Sequence, residues 1–255
     1  MIKFDDYDKI IIDGFGTLYD QNYVPFDGAA ELLRLICNKV ILFSNVGSIK
    51  GSELKNILQA KTDLSFTNVI TSLDLLCDHI VKNKIKKIYH YGGISAENEL
   101  NKIACISDSI DEIVDAIIFT SLPQKNWITE SQDILKYINF HMDVKVILGN
   151  PDRLLPGSNV GINIGMMFDM LIQPWINEGF QISKIEIGKP NLNRLDLSLT
   201  PKEKLLVIGD NYITDGGLAD QICADFALIT KNERFKSKNI MIFSNLINLM
   251  NNVKV

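Results

Sequence analysis

The chain has 255 residues, of which 46% are hydrophobic, so it can form one large domain or two modest domains with full cores. Its formal net charge is −5 and it has no long basic run, which argues against nucleic acid or an anionic membrane as a partner. It also lacks an uncharged apolar stretch of about 18 residues, so we expect no transmembrane helix.

The N-terminal residues and the cysteines predict a cytoplasmic protein. Residues 1–8 are acidic and lack the basic and apolar regions of a signal peptide. Four cysteines are scattered along the chain without a C-x-x-C pair: Cys37, Cys77, Cys105 and Cys223. This pattern favours free, mostly buried thiols in a reducing compartment over disulfides or a zinc site.

Apolar runs of strand length alternate with segments of helical periodicity at both ends of the chain. In chain order, the predicted elements are a strand at 10–12, a helix at 28–37, a strand at 40–43, a helix at 52–59, a strand at 69–70, a helix at 74–82, and strands at 205–208 and 226–229. Continuous β-branched runs separated by helices are typical of a parallel sheet that is covered on both faces. We therefore predict an α/β fold.

The middle of the chain repeats this pattern separately. Three further strands are predicted at 87–91, 116–119 and 145–148, with helical patterns between them. A strong turn signal, Asn150-Pro151-Asp152, ends the series. We interpret residues 73–183 as an inserted second domain, and residues 1–72 and 184–255 as one discontinuous core domain.

Aspartates follow two of the apolar strands in the core domain. Asp13 ends the first strand and precedes a Gly-x-Gly-Thr-Leu turn, at the end of the strand where open α/β sheets bind ligands. Asp210 and Asp215 follow the strand at 205–208. Each aspartate alone is an ordinary turn residue, but together they suit a hard cation, which prefers oxygen ligands. The three carboxylates are therefore a candidate magnesium site.

Two further polar groups occur near predicted strand ends. Ser44 and Asn45 follow the strand at 40–43, where such residues more often cap a helix or form a turn. Lys189 lies between Gly188 and Pro190, although a lysine is usually a solvated surface charge. Each of these signals is ambiguous by itself. Together with the aspartates that follow the two core strands they make four signals, which are informative because they occur in one particular order along the chain.

In that order the chain resembles the haloacid-dehalogenase-like (HAD) hydrolases, in particular the class IIA phosphatases with a C2-type cap. The resemblance covers nearly the whole chain. Its four main motifs are Asp13 with residues 16–18, Ser44 with Asn45, Lys189 in Gly-Lys-Pro, and residues 209–215 with Asp210, Thr214 and Asp215. Three secondary marks are similar as well: residues 25–29, Thr71-Ser72, and Asn150-Pro151-Asp152 with Pro156.

The resemblance implies a Rossmann-like core with a parallel sheet, an inserted α/β cap that covers the site, and phosphatase chemistry. Asp13 would be the nucleophile and form an aspartyl-phosphate. Mg²⁺ would be held by Asp13, the backbone carbonyl of Phe15 and Asp210, with Asp215 supporting these ligands. Ser44 and Lys189 would act on the phosphoryl oxygens.

The resemblance also implies substrate contacts and partners. Asn45, Asn150 and Asp152 are expected to bind the substrate or its phosphate, as are Ser44 and Lys189. The expected substrate is a small phosphorylated metabolite, and the expected assembly is a homodimer formed through the cap.

Phe15 departs from the family pattern, because relatives carry there a second aspartate that protonates the leaving group and activates water. A positioned acid–base group contributes roughly 10²–10⁴-fold to a rate, so we expect activity to be weak. Asp20 or Asp152 are candidate replacements. The alternative is a non-catalytic module that binds phosphorylated ligands. A haloacid dehalogenase is a third reading, against which Asp210 and Asp215 argue because dehalogenases need no magnesium.

Overall fold

The computed structural model of the protein describes residues 2–36, 38–62, 64–122, 127–141, 143–155, 161–192, 194–231 and 240–253. The strands are β1 (Lys9–Asp13), β2 (Val40–Ser44), β3 (Asn68–Thr71), β4 (Lys87–Tyr91), β5 (Cys105–Ile106), β6 (Ala116–Phe119), β7 (Val144–Leu148), β8 (Ile182–Glu186), β9 (Leu205–Gly209), β10 (Asp225–Ile229) and β11 (Met241–Phe243). The α-helices are α1 (Ala29–Ile36), α2 (Gly51–Lys61), α3 (Ser72–Lys82), α4 (Ile94–Leu100), α5 (Trp127–Phe140), α6 (Ile164–Asn177), α7 (Gly217–Ile222) and α8 (Leu246–Asn251).

The chain divides into two compact units. The first comprises Met1–Ser44, Gly51–Ile70 and Lys189–Val255, and the second comprises Asn45–Lys50 and Thr71–Gly188. The predicted α/β fold is confirmed, because each unit is built on a parallel sheet with helices. Within the described residues, no helix has the length and apolar character needed to cross a membrane.

The first unit contains a six-stranded sheet in the order β11-β10-β9-β1-β2-β3. Strand β1 pairs in parallel with β2 on one side and β9 on the other, so that Ile11 lies opposite both Ile41 and Val207. The three strands are buried along almost their whole length, which is why they appear in the sequence as continuous apolar runs rather than alternating ones. Strands β2 and β3 lie on one side of β1, whereas β9 to β11 lie on the other. The strand order therefore reverses between β1 and β9.

The helix after β1 shows how the sequence covers this sheet. Helix α1 buries Ala29, Leu32, Leu33 and Ile36. These residues recur at the spacing of one helical face, so the helix packs an apolar stripe on the core and leaves its polar residues in solvent.

The second unit contains a five-stranded sheet in the order β5-β4-β6-β7-β8, and all of its pairs are parallel. Neighbouring residues of β6 belong to different cores: Ile118 packs with α3 and α4, and Ile117 packs with α5 and α6. Side chains alternate between the faces of a strand, so both faces of this sheet are covered by helices.

Strand β8 pairs with β7 over five residues, from Val144 opposite Ile182 to Leu148 opposite Glu186. The sequence analysis places the end of the inserted domain between residues 183 and 184, and this position falls inside β8. Strand β8 lies at an edge of the sheet and was not predicted, because its polar residues Ser183, Lys184 and Glu186 interrupt the apolar run that marks a buried strand.

The expectation of mostly buried cysteines was wrong for the cysteines that the structure describes. Cys77 is buried, whereas Cys105 and Cys223 are exposed, and all three are free. Cys223 directly follows α7 and has a left-handed conformation with a φ of 54°. Cys37 and Pro156 lie outside the described residues.

Candidate functional site

The carboxyl ends of β1, β2 and β9 carry the polar residues of the first unit that the sequence analysis singles out. Asp13 is the last residue of β1, Ser44 is the last residue of β2, and Asp210 directly follows β9. The strand order reverses between β1 and β9, and ligands of open α/β sheets bind at the carboxyl ends of strands at such a reversal. The topology alone therefore identifies this edge of the sheet as a candidate site.

Lys189 joins two of the aspartates through direct ion pairs. Its Nζ lies 2.5 Å from Asp13 Oδ1 and 2.7 Å from Asp215 Oδ1, and it also donates to the carbonyl of Phe43 at 3.3 Å. Lys189 is 2% exposed, so these contacts are shielded from water. An ammonium group held between two buried carboxylates is fixed in position before any ligand arrives.

Burial and the neighbouring charges together shift the pKa values of this cluster. It raises the pKa of Asp13 well above its usual range, Lys189 opposes that rise, and Asp215 and Asp210 add to it. Burial by itself would lower the pKa of Lys189, but the carboxylates of Asp13 and Asp215 raise it beyond its ordinary value. Lys189 therefore stays charged at neutral pH, and its charge favours the ionised form of Asp13 against the effect of burial.

Two glycines allow the carboxylates to come close to the backbone. Gly16 has a φ of 95°, and a Cβ built on it would lie 2.4 Å from Asp210 Oδ2. A Cβ on Gly209 would lie 2.2 Å from Asp215 Oδ2. Any larger residue at either position would displace the aspartate, so the Gly-Thr-Leu turn and the Gly-Asp pair have a steric role at the site.

Hydrogen bonds at the start of a short π-helix, Tyr212–Gly216, place Asp215. The side chain of Asn211 accepts from the backbone amides of Ile213 at 2.9 Å and Thr214 at 3.3 Å. The backbone amide of Asn211 donates to Asp215 Oδ2 at 3.1 Å. This leaves Asp215 Oδ1 for Lys189, which explains how a residue six positions beyond β9 returns to the site.

Three carboxylates meet at this point and could hold a cation. Oxygen atoms of Asp13, Asp210 and Asp215 all lie within 4.8 Å of one another. The hydroxyl of Thr17 lies 3.3 Å from Asp13 Oδ2 and 3.4 Å from Asp210 Oδ1. The donors are all oxygen atoms, and one ammonium group cannot neutralise three carboxylates. The donor set and the excess negative charge therefore both fit a divalent cation that prefers oxygen ligands.

The turn after β1 also contains a buried tyrosine that the sequence analysis did not single out. Tyr19 is 2% exposed, and a Cβ built on Gly14 would lie 2.3 Å from its hydroxyl oxygen. Within the part of the chain that the structure describes, this hydroxyl has no hydrogen-bond partner. The sequence gives no signal for it beyond its position directly after the Gly-Thr-Leu turn. Phe15, in the same turn, is half-buried.

Three of the predicted substrate-binding residues belong to the second unit. There Asn45 Nδ2 donates to Asp152 Oδ1 at 2.8 Å, and the backbone amide of Asp152 donates to Asn150 Oδ1 at 3.1 Å. The structure thus brings Asn45, Asn150 and Asp152 together in one unit. It brings Asp13, Lys189, Asp210 and Asp215 together in the other, at the end of the sheet where Ser44 also lies.

Solved structures with the same fold include several phosphatases. A 4-nitrophenylphosphatase from Thermotoga maritima matches with a TM-score of 0.77 and 18% identity, over 98% of this chain and 99% of that one. A glycerol phosphate phosphatase from Mycobacterium tuberculosis, solved with magnesium, matches with a TM-score of 0.73 and 15% identity, over 96% of this chain and 78% of that one. A HAD-superfamily protein from Cytophaga hutchinsonii matches with a TM-score of 0.70 and 18% identity, over 90% and 88%.

No family model and no curated protein matches the sequence. The structural matches nevertheless extend over nearly the whole chain, so the chain has the fold of the HAD-superfamily phosphatases. The resemblance that the motifs indicate is therefore confirmed at the level of the fold. Identities below 25% leave the activity to be argued from the residues of the site.

Proposed function

We propose that the protein is a magnesium-dependent phosphatase that hydrolyses a small phosphomonoester through Asp13. The observation that carries this proposal is the ion-pair cluster of Lys189 with Asp13 and Asp215, at the end of the sheet that also presents Asp210. A buried ammonium beside a carboxylate that can act as a nucleophile is suited to a reaction in which negative charge builds up on phosphoryl oxygens. The fold shared with known phosphatases supports the same reading.

In the proposed reaction, a carboxylate oxygen of Asp13 attacks phosphorus and the bond from phosphorus to the leaving-group oxygen breaks. Water then attacks the phosphorus of the aspartyl-phosphate, which releases inorganic phosphate and restores the carboxylate of Asp13. Lys189 and Ser44 are proposed to hold phosphoryl oxygens during both steps. Lys189 also keeps Asp13 oriented, since the two groups are already in contact.

Asp13, Asp210 and the backbone carbonyl of Phe15 are the proposed ligands of Mg²⁺, with Asp215 supporting them. When bound, the cation would neutralise charge on the phosphoryl group and on the carboxylates around it. The glycerol phosphate phosphatase with the same fold was solved both with magnesium and with calcium, which supports a divalent cation at such a site.

Phe15 limits the substrates that we expect. A benzyl side chain cannot protonate a leaving group, so esters with acidic leaving groups, such as aryl phosphates, should react far faster than sugar or nucleoside monophosphates. Phe15 is also the observation that favours a second candidate function, a module that binds phosphorylated ligands and Mg²⁺ without turnover. We assign Asn45, Asn150 and Asp152 to the recognition of the substrate in either case.

The wider assignment rests on the same resemblance. We propose that the protein is a class IIA member, with a C2-type cap formed by the second unit and a core formed by the first unit. We further propose that it acts in the cytoplasm on a small phosphorylated metabolite, as a homodimer formed through the cap. The free thiols of Cys77, Cys105 and Cys223 are compatible with a reducing compartment.

The deciding experiment is the magnesium-dependent release of p-nitrophenol from p-nitrophenyl phosphate by the wild type, Asp13→Asn and Phe15→Asp. We expect slow steady turnover by the wild type, none by Asp13→Asn, and a gain in Phe15→Asp. Retained turnover in Asp13→Asn would refute the nucleophile. No turnover by the wild type, with a gain in Phe15→Asp, would favour the binding module.

A further inference from the structure

The buried hydroxyl of Tyr19 has no hydrogen-bond partner among the described residues. The backbone of Tyr19 is held on both sides: its amide donates to the carbonyl of Gly14 at 3.2 Å, and its carbonyl accepts from the amide of Gly16 at 2.9 Å. The ring stacks on Tyr23 with 5.6 Å between centroids. A buried hydroxyl that lacks a partner opposes folding, and a bound ligand that accepts its hydrogen bond would remove this cost.

The position of this hydroxyl connects it to the candidate site. It lies against the backbone of Gly14, the residue directly after Asp13. Burial, followed by the charge of Asp13, raises the pKa of Tyr19 far above its ordinary value, and Lys189 opposes that rise. The phenol is therefore neutral and keeps its proton. It interacts electrostatically with Asp13 and Lys189.

A neutral phenol that is fixed in place has one O–H to donate, and a strong acceptor for it is an anionic oxygen. We propose that the Tyr19 hydroxyl donates a hydrogen bond to an oxygen of the phosphoryl group that binds at Asp13. This inference rests on the proposed function and adds a ligand contact to it. Tyr19 acts as a donor and undergoes no change of charge. It supplies a polar contact in a turn where Phe15 supplies none.

The test compares the wild type with Tyr19→Phe and Tyr23→Phe, using orthovanadate as a phosphate analogue in the presence of Mg²⁺. Binding is measured by isothermal titration calorimetry, and thermal stability is measured without the anion. Tyr23→Phe is the matched control, because it removes a hydroxyl from the adjacent, half-buried ring in the same stack. Both substitutions keep the aromatic ring and its packing.

We expect Tyr19→Phe to bind orthovanadate about 10- to 100-fold more weakly than the wild type, the range for a hydrogen bond to a charged acceptor. Its melting temperature should be unchanged or higher, because the substitution removes a hydroxyl that lacks a partner. Tyr23→Phe should bind as the wild type does. This combination of weaker binding with undiminished stability is what a purely structural tyrosine would not produce.

Three results would overturn the inference. If Tyr19→Phe binds within about twofold of the wild type, the hydroxyl does not contact the anion, and the proposed phosphatase function is unaffected. If Tyr19→Phe loses binding and melting temperature together, the hydroxyl has a structural role instead. If the wild type itself fails to bind orthovanadate, the proposed function fails and this inference fails with it.

Discussion

The ion pairs of Lys189 make a sharp prediction about stability. In Lys189→Met, the aliphatic part of the side chain is largely preserved while the charge is removed. Asp13 Oδ1 and Asp215 Oδ1, which lie 2.5 Å and 2.7 Å from Nζ, are then left without their cation in a buried site. Removing one partner of a buried ion pair typically costs about 3–5 kcal/mol, because the remaining charge stays desolvated. For a chain of this size that corresponds to a fall of roughly 6–20 °C in melting temperature.

The measurement is thermal unfolding followed by circular dichroism at neutral pH, with EDTA present so that no divalent cation replaces the lost charge. Lys136→Met is the matched control. Lys136 also pairs with an aspartate, Asp133, at 3.0 Å, but its side chain is 68% exposed, whereas that of Lys189 is 3% exposed. Exposed pairs contribute about 0–1 kcal/mol, so the control should melt almost as the wild type does. The reasoning is refuted if both variants lose the same small amount of stability.

Two further predictions concern a glycine of the site and a histidine of the second unit. Gly16→Ala and Gly179→Ala should each be destabilised by about 1–2 kcal/mol, because both glycines have positive φ. Only Gly16→Ala should also lose the rise in melting temperature that Mg²⁺ produces, because its methyl group would displace Asp210. A Cβ at Gly179 would meet nothing within 4 Å, so Gly179→Ala should respond to Mg²⁺ as the wild type does. Equal responses of the two variants to Mg²⁺ would contradict this. Burial lowers the pKa of His90 to about 4, so the folded state disfavours protonation, and the resulting stability is present above the unfolded pKa and lost as pH falls. Between pH 7 and pH 5 the free energy of unfolding of the wild type should therefore fall by about 2 kcal/mol more than that of His90→Asn. Chemical denaturation at the two pH values measures this difference. Equal falls would indicate that the carboxylate of Glu97, 3.7 Å from His90 Nδ1, offsets the effect of burial.

The sequence is informative about the central strands because burial on both faces leaves a clear signature. Strands β1, β2 and β9 are continuous apolar runs, and the polar residue that ends or follows each of them is therefore easy to locate. In a parallel sheet the carboxyl ends lie at one edge, so the proximity of Asp13 and Asp210 follows from the pattern. The candidate cation site was predictable from the residues to this extent.

Other parts of the structure leave no such signature. Strands β5, β8 and β11, which the sequence analysis did not predict, all lie at sheet edges. A strand at an edge is short or partly polar because one side of it has no neighbour to bury it. Lys189 is 176 residues from Asp13 in the chain, and no periodicity relates them, so only the family resemblance indicated its place. The burial of Tyr19 depends on how the turn folds back on Gly14, which composition does not encode.

Phe15 affects the proposed acid–base chemistry, whereas the residues proposed to bind phosphate and the cation are others. Two close approaches in this turn involve its glycines: Gly14 lies against Tyr19, and Gly16 lies against Asp210. The cluster of Asp13, Asp210 and Asp215 with Lys189 has a formal charge of −2 when all four groups are ionised, which one divalent cation would neutralise. An additional carboxylate at residue 15 would increase the negative charge that opposes an incoming phosphate. In the proposed reaction, phenylalanine at this position would weaken the protonation of the leaving group without weakening the binding of the anion.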